Sequence, residues 1–191
     1  SNIQPVAGDN YIYVGSYTTS KWTGEVQARE IDVATGAPST TALWSAQAKL
    51  DALTNNACDN RNIYLIRDGA TNNMVNFSWN SSTCASNGSP TGVVNTGLNA
   101  SEQAQFNSTK VSLMSQFTTM TDGANGTVDQ KTPAAGENLV NYLRGQRGKE
   151  GFESNDLNKL YRTRDHVLGD IVNGQPVYVK PPFASYVDRD Y

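Results

Sequence analysis

Histidine is nearly absent: His166 is the only one in 191 residues. A Ser-His-Asp hydrolase would have to use it. It sits between Asp165 and Val167, and no Gly-x-Ser-x-Gly elbow occurs in the chain. Catalysis is therefore not expected, and a surface or partly satisfied imidazole is. Cysteine is scarce as well. Cys58 and Cys84 show no Cys-x-x-Cys spacing, and with a single histidine they do not make a zinc centre. Charged residues are only 17% of the chain and the net charge is −3, so the basic footprint of a nucleic-acid-binding domain is missing. The densest basic stretch, Tyr142 to His166, carries Arg144, Arg147, Lys149, Lys159, Arg162 and Arg164. It also carries Glu150, Glu153, Asp156 and Asp165, and reads as a solvated, salt-bridged surface. No apolar run approaches the ~18 residues of a membrane-spanning helix. No Gly-rich cradle precedes a helix, so neither a nucleotide nor another cofactor is expected. Ser1 to Asp9 has neither the basic nor the apolar region of a secretory signal, so the expectation is that one was removed or lies upstream.

What is abundant is Asn, Ser, Thr and Gly, a profile common in exported, β-rich surface proteins. Hydrophobic residues make up 37%, and the length is enough for a modest core with long loops. Tyr11 to Tyr17 and Gly24 to Asp32 read as strands, followed by an Asp32-Val33-Ala34-Thr35-Gly36 turn with Asp to open it and Gly for positive φ. Thr41 to Trp44 reads as a third short strand. Strand, loop, strand, turn, strand is the order within one propeller blade, and equally within any antiparallel meander. Ser45 is placed to cap a short helix from Ala46 to Leu53. Asn99 and Glu102 have capping-box spacing and open a helix to about Phe117, with Phe106, Leu113, Met114 and Phe117 on one face. A further helix, Glu137 to Arg144, ends at Gly145, and Asn155 is placed to cap another turn. Val167 to Val179 reads as extended structure with a turn at Asn173-Gly174.

The cysteines flank two strand-like runs, Arg61 to Arg67 and Met74 to Trp79, joined by the turn formers Asp68 to Asn73. A hairpin turn centred near residue 71 sets Cys58 opposite Cys84. A disulfide there contributes about 3 kcal/mol in the chain-entropy model and implies an oxidising compartment. The alternative is two buried free thiols.

Other candidate sites have plainer readings beside them. Asp122, Asn125 and Asp129 in a Gly-rich loop are oxygen ligands of the kind calcium takes, but without the alternating EF-type pattern. Asp68, Asn72 and Asn73 are similar, and turn formation accounts for them equally. Asn76, Asn80, Asn99, Asn107 and Asn125 each precede x-Ser or x-Thr, a consequence of composition. Among Trp22, Trp44 and Trp79, Trp22 is the candidate ligand contact because it lies in a loop.

Leu139 to Phe152 (LVNYLRGQRGKEGF) and Leu160 to Phe183 (LYRTRDHVLGDIVNGQPVYVKPPF) closely resemble PilY/PilC-type proteins, the large type IV pilus tip and assembly family. The matching features are the Tyr161-Arg162-Thr163-Arg164 strand, the Leu168-to-Asn173 turn and the Pro176-to-Val179 strand. Asp170 and Asn173 are read as structural within that turn. Trp22-Thr23-Gly24, Asp32 to Gly36, Leu43 to Ala46 and Arg61 to Ile63 fit the family's preceding region. The resemblance implies a β-dominated α+β fold, with antiparallel strands of a partial β-propeller-type domain and inserted helices. Residues 1–191 are then one domain: 1–98 mainly β, 99–161 a helical insertion, and 162–191 strands leading into further propeller strands. It implies a non-enzymatic structural or binding module supporting pilus biogenesis and adhesion, located in the periplasm, on the outer surface or at the pilus tip. Minor pilins and a host-surface ligand are the implied partners. The family's calcium loop falls beyond Tyr191 and is not carried over. Some members read Arg-Gly-Asp where this chain has Arg144-Gly145-Gln146, so integrin-type recognition is not carried over either. The alternatives are an independent carbohydrate-binding adhesin module and a quinone-type propeller enzyme, the latter needing several blades and a metal. The Val167-to-Val179 segment is expected to lie back on the N-terminal strands, Tyr11 to Asp32, or to pair with a second molecule.

Thiol titration of the unreduced, denatured protein should find no free thiol; two titratable thiols would contradict the Cys58–Cys84 disulfide.

Overall fold

The computed structural model describes residues 6–8, 10–54, 61, 63–67, 74–79, 81–84, 90–94, 97–172, 174 and 176–179. The chain is a mixed α+β protein with small antiparallel sheets. It divides into two compact units, residues 1–49 with 168–191, and residues 50–167.

The first unit is built on a four-stranded meander: β1 (Val6–Gly8), β2 (Tyr11–Thr18), β3 (Thr23–Glu30) and β4 (Trp44–Ser45), hydrogen-bonded in that order. The long β2–β3 hairpin pairs Tyr11 with Glu30 and Thr18 with Thr23. The Asp32 turn forms as its residues dictate. Asp32 Oδ1 accepts from the Ala34 and Thr35 amides at 2.8 and 2.9 Å, Gly36 N donates to the Asp32 carbonyl at 2.7 Å, and Gly36 takes φ 70°. β4 is shorter than its sequence suggests, because only Trp44 and Ser45 reach β3 in register. Ser45 then caps helix α1 (Ala46–Thr54), accepting from the Ala48 amide at 3.0 Å and donating to Glu25 at 2.5 Å.

The Leu168-to-Val179 segment forms no regular strand among its described residues; a single bridge joins Gly169 to Thr23. It does lie back on the N-terminal sheet. Gly24 N donates to the Leu168 carbonyl at 3.1 Å, and Tyr178 stacks on Tyr13 with centroids 5.4 Å apart. Gly24 is what permits this approach: a Cβ there would sit 2.3 Å from the Gly169 carbonyl oxygen.

The second unit contains the rest: β5 (Tyr64–Ile66) with β6 (Met74–Asn76), β7 (Ser81–Cys84) with β8 (Pro90–Val94), and three short helices, α2 (Ala100–Gln103), α3 (Ser108–Val111) and α4 (Glu137–Leu143). No propeller is visible among the described residues; each of these two sheets has two strands. The β5–β6 hairpin is shifted from the expected register. Leu65 faces Val75, whereas a turn centred at residue 71 would set it opposite Phe77. β6 stops at Asn76, where Ser78 N turns back to the Asn76 carbonyl, and Cys84 belongs to the next hairpin, opposite Pro90. Cys58, and with it the disulfide, falls outside the described residues, as do Asp68, Asn72, Asn73, Asn80 and Asn173.

The single helix expected from Asn99 to Phe117 is broken into α2, α3 and short 3-10 turns. The capping box is present, with the Asn99 side chain on the Glu102 amide and the Glu102 carboxylate on the Asn99 amide. Asn107 causes the break. It is extended, ψ 161°, and its side chain caps a new helix at the Lys110 amide, since short polar side chains compete with the helix for backbone groups. Phe117 is buried as expected, but Leu113 points to solvent, 87% exposed.

The core is Val111, Phe117, Met120, Ala134, Leu139, Tyr142, Leu160 and Tyr161. Fully buried Gln130 links the loops around it. Its Oε1 accepts from the Thr121 amide and hydroxyl at 3.2 and 3.1 Å, and its Nε2 donates to the Glu153 and Asp156 carbonyls, both at 2.8 Å. Asn155 does not cap a helix. It takes φ 70° and its Oδ1 accepts from the Val128 amide at 2.6 Å.

Replacing Gln130 by Ala strands these partners and should destabilise the protein by about 2–4 kcal/mol, read from urea unfolding; a loss below about 1 kcal/mol would contradict the role given to this amide.

Candidate functional site

The Tyr142-to-His166 stretch is salt-bridged as its charges suggest, with Glu153, Lys159, Arg162 and Asp165 exposed, but some of its cations turn inward. Arg144 is buried, 7% exposed, and follows α4, where Gly145 at φ 104° ends the helix. Its guanidinium donates to the Phe77 carbonyl at 2.5 Å and to the Arg61 carbonyl at 3.1 Å. It thereby fixes the flanks of the β5–β6 hairpin to the core. Gly145 is buried with it; a Cβ there would lie 2.7 Å from Val167 Cγ1 and 3.0 Å from Thr54 Cγ2. The Arg144-Gly145 pair is therefore used inside the unit and not displayed to a partner.

Arg164 is a second, half-buried cation. It lies 4.0 Å from the Tyr142 ring centroid, and Tyr142 stacks in turn on Tyr161, with centroids 4.4 Å apart at 18°. Its guanidinium donates to Glu150 Oε1 at 2.6 Å and to the Tyr142 and Gln146 carbonyls at 3.0 Å each. Glu150 Oε2 accepts from the Arg164 amide at 3.1 Å and from Arg147 Nε at 3.2 Å, and Arg147 also donates to the Arg164 carbonyl. Two arginines around one carboxylate, with carbonyls taking the remaining donors, satisfy charges that would be costly to bury alone. Tyr161 donates to the Ala134 carbonyl at 2.9 Å, and burial pushes its phenol well above the ordinary range. Tyr161 to Arg164 is thus not a strand; only Tyr161 makes a bridge, parallel, to Glu150.

His166 is partly satisfied, as its sequence context suggests. Its Nδ1 lies 2.6 Å from Asp51 Oδ2, and Asp51 Oδ1 accepts from the Val167 amide at 2.9 Å. Asp51 stands near the start of the 50–167 unit and His166 at its end, so the pair clasps the unit's two ends. Burial acts to raise the Asp51 pKa. The His166 hydrogen bond, the Val167 amide, and the charges of His166 and Arg147 outweigh it and hold the carboxyl below 3.8. Among the described residues no hydroxyl or thiol hydrogen-bonds the imidazole, and the geometry is that of a structural clasp.

The remaining candidates do not converge on this region. Trp22 is 63% exposed at φ 54°, at the end of the β2–β3 loop in the first unit. Trp44 carries the Lys49 ammonium 5.6 Å from its ring. Asp122 and Asp129 face each other across a tight turn, and each serves its own backbone: Asp122 accepts from the Ala124 amide, Asp129 from Thr132. Asn125 holds a left-handed position in that turn, φ 55°, while Asn99 and Asn107 are helix caps. No group of three or more metal-ligating side chains occurs among the described residues, and none of their helices is long and apolar enough to cross a membrane.

Comparison with known proteins bears on what the Tyr–Arg assembly belongs to. Over 179 residues, 93% of the chain, it is 28% identical to the type IV pilus biogenesis factor PilY1 of Pseudomonas aeruginosa strain PAK. The chain is a distant homologue of PilY1. Strain UCBPP-PA14 gives 26% over 178 residues. A PilY1 homologue of Xylella fastidiosa is 49% identical over 49 residues, 26% of the chain. The chain spans 12% of the length of the Pseudomonas relatives. No family model and no solved structure matches it.

Because the Asp51 carboxyl is depressed in the folded protein, its contribution is present above about pH 4–5 and lost as pH falls through 3.8 and below. Asp51→Ala should lower Tm at pH 7 by about 2–4 °C, roughly 1 kcal/mol, and flatten the acid limb of the stability–pH curve; an unchanged acid limb would contradict the clasp.

Proposed function

We propose that this chain is a non-enzymatic structural and binding module of a longer, exported, type IV pilus tip-associated protein that supports pilus biogenesis and surface adhesion. The observation that carries this reading is the PilY1 homology running along 93% of the chain. Those relatives are type IV pilus biogenesis factors, and that role is the source of the assignment. The four-stranded meander of the first unit has the strand number and order of one propeller blade, which supports placing it in a propeller-type domain of the longer protein. The partners proposed are minor pilins or other tip components, with a host-surface ligand for adhesion. The expected Cys58–Cys84 disulfide would fit an oxidising, extracytoplasmic setting. A structural role for the lone histidine also supports the non-enzymatic reading, since its Nδ1 is committed to Asp51 and Asp51 in turn to the Val167 amide.

In cells making the full-length protein, deleting residues 1–191 should reduce surface piliation, measured as sheared pilin, and should abolish co-purification of minor pilins. Wild-type piliation together with undiminished co-purification would overturn the proposal.

A further inference from the structure

The second unit carries a cleft that neither the pilus assignment nor the Tyr–Arg assembly uses. It is about 520 Å3, lined by Tyr64, Arg67, Met74, Asn76, Trp79 and Gln103 among others, and falls within the roughly 300–1,000 Å3 of small-ligand sites. One wall is the outer face of the β5–β6 hairpin. Tyr64 stands opposite Asn76 and Ile66 opposite Met74, so all four share one face of the pleat. Tyr64, Ile66 and Met74 are 50%, 71% and 61% exposed. The other wall is the Ser78–Trp79 bend against the start of α2. Leu98 N donates to the Ser78 carbonyl at 2.8 Å, and Gln103 Nε2 donates to the Trp79 and Leu98 carbonyls at 3.1 and 3.0 Å. Gly97 permits this closeness, since a Cβ there would fall 2.4 Å from the Ser78 carbonyl oxygen. The Trp79 ring edge rests against Gly136, and Arg144 holds Phe77 and Arg61 from behind. The cleft is therefore set on the core, not on a free hairpin.

Its chemistry is selective. The cation in it is already neutralised: Arg67 makes a two-pronged pair with Glu102, Nε to Oε1 at 2.6 Å and Nη2 to Oε2 at 2.7 Å. An anionic ligand would gain no free positive charge there. The Tyr64 and Trp79 rings provide apolar faces, and among the described residues the Tyr64 hydroxyl and the Asn76 amide have no hydrogen-bond partner within the protein. Aromatic faces flanked by an uncommitted planar amide and an uncommitted hydroxyl, with no net charge, match a ligand having apolar C–H faces edged by hydroxyls.

We infer that this cleft binds a neutral saccharide, stacked on Tyr64 and Trp79 and hydrogen-bonded by Asn76. The site is built by this chain alone, so its test is separate from that of the pilus reading. Lactose, maltotriose and chitotriose are titrated against the folded protein, followed by tryptophan fluorescence and checked by calorimetry, with heparin oligosaccharide as the anionic comparison. At least one neutral sugar should bind with Kd near or below about 1 mM. Tyr64→Ala and Asn76→Ala should each weaken it about fivefold or more, with Tm retained, while Trp22→Ala leaves it unchanged. Absence of binding by all three sugars, tighter binding of heparin, or sensitivity to Trp22→Ala without sensitivity to Tyr64→Ala would each overturn the inference.

Discussion

Tyr161 is where several stretches of the second unit meet. Its ring lies on Tyr142 of α4, its hydroxyl donates to the Ala134 carbonyl, and its backbone bonds Lys149 on one side and Phe152 on the other. It is among the largest fully buried side chains. A phenol buried to this degree is tolerated because its hydroxyl is bonded and its ring is stacked on Tyr142. Buried Arg144 and half-buried Arg164 depend on the same arrangement. Arg164 is held over the outer face of Tyr142 by Glu150, and Arg144 leaves the end of the same helix to reach the β5–β6 hairpin. Gln130 closes the loops on the remaining side. With few apolar residues available, the unit is held by a small aromatic core edged with satisfied polar side chains.

That arrangement bears on function in two ways. It gives the 50–167 unit ends that are clasped together by Asp51 and His166, so the unit is closed on itself as a built module. It also fixes the hairpin and the Trp79 bend from behind, which leaves a preformed cleft on the outside. Both bear on the proposed structural and binding role.

Local signals were legible in the sequence. The Asp32–Gly36 turn, the Ser45 cap, the Asn99–Glu102 capping box and the Gly145 terminator depend on residues within a few positions of one another, and each is present. Long-range features were not. Asn107 divides the expected helix because its side chain finds a backbone partner as good as the helix offers. The hairpin register differs from the expected one, and β6 ends before the Ser78–Trp79 bend that Leu98 and Gln103 bind, a contact no local pattern reveals. The basic stretch is largely solvated, as its composition suggests, but its balance of charge also lets the Arg164–Glu150 pair be half-buried against the core, which composition does not reveal. For the cleft, the two strand-like runs that carry Tyr64 and Met74 to Trp79 were visible, but the Leu98 and Gln103 contacts that shape its second wall come only from the fold.

The central claim is that the 50–167 unit is organised around the Tyr161 assembly, and native-state hydrogen exchange tests it most directly. The amides of Ala134, Val140, Phe152, Leu160 and Tyr161, all bonded within this assembly, should share the slowest exchange class and open only with global unfolding of the unit. Exchange of Leu160 and Tyr161 as fast as that of the exposed Asn125–Gly126 turn would contradict the account.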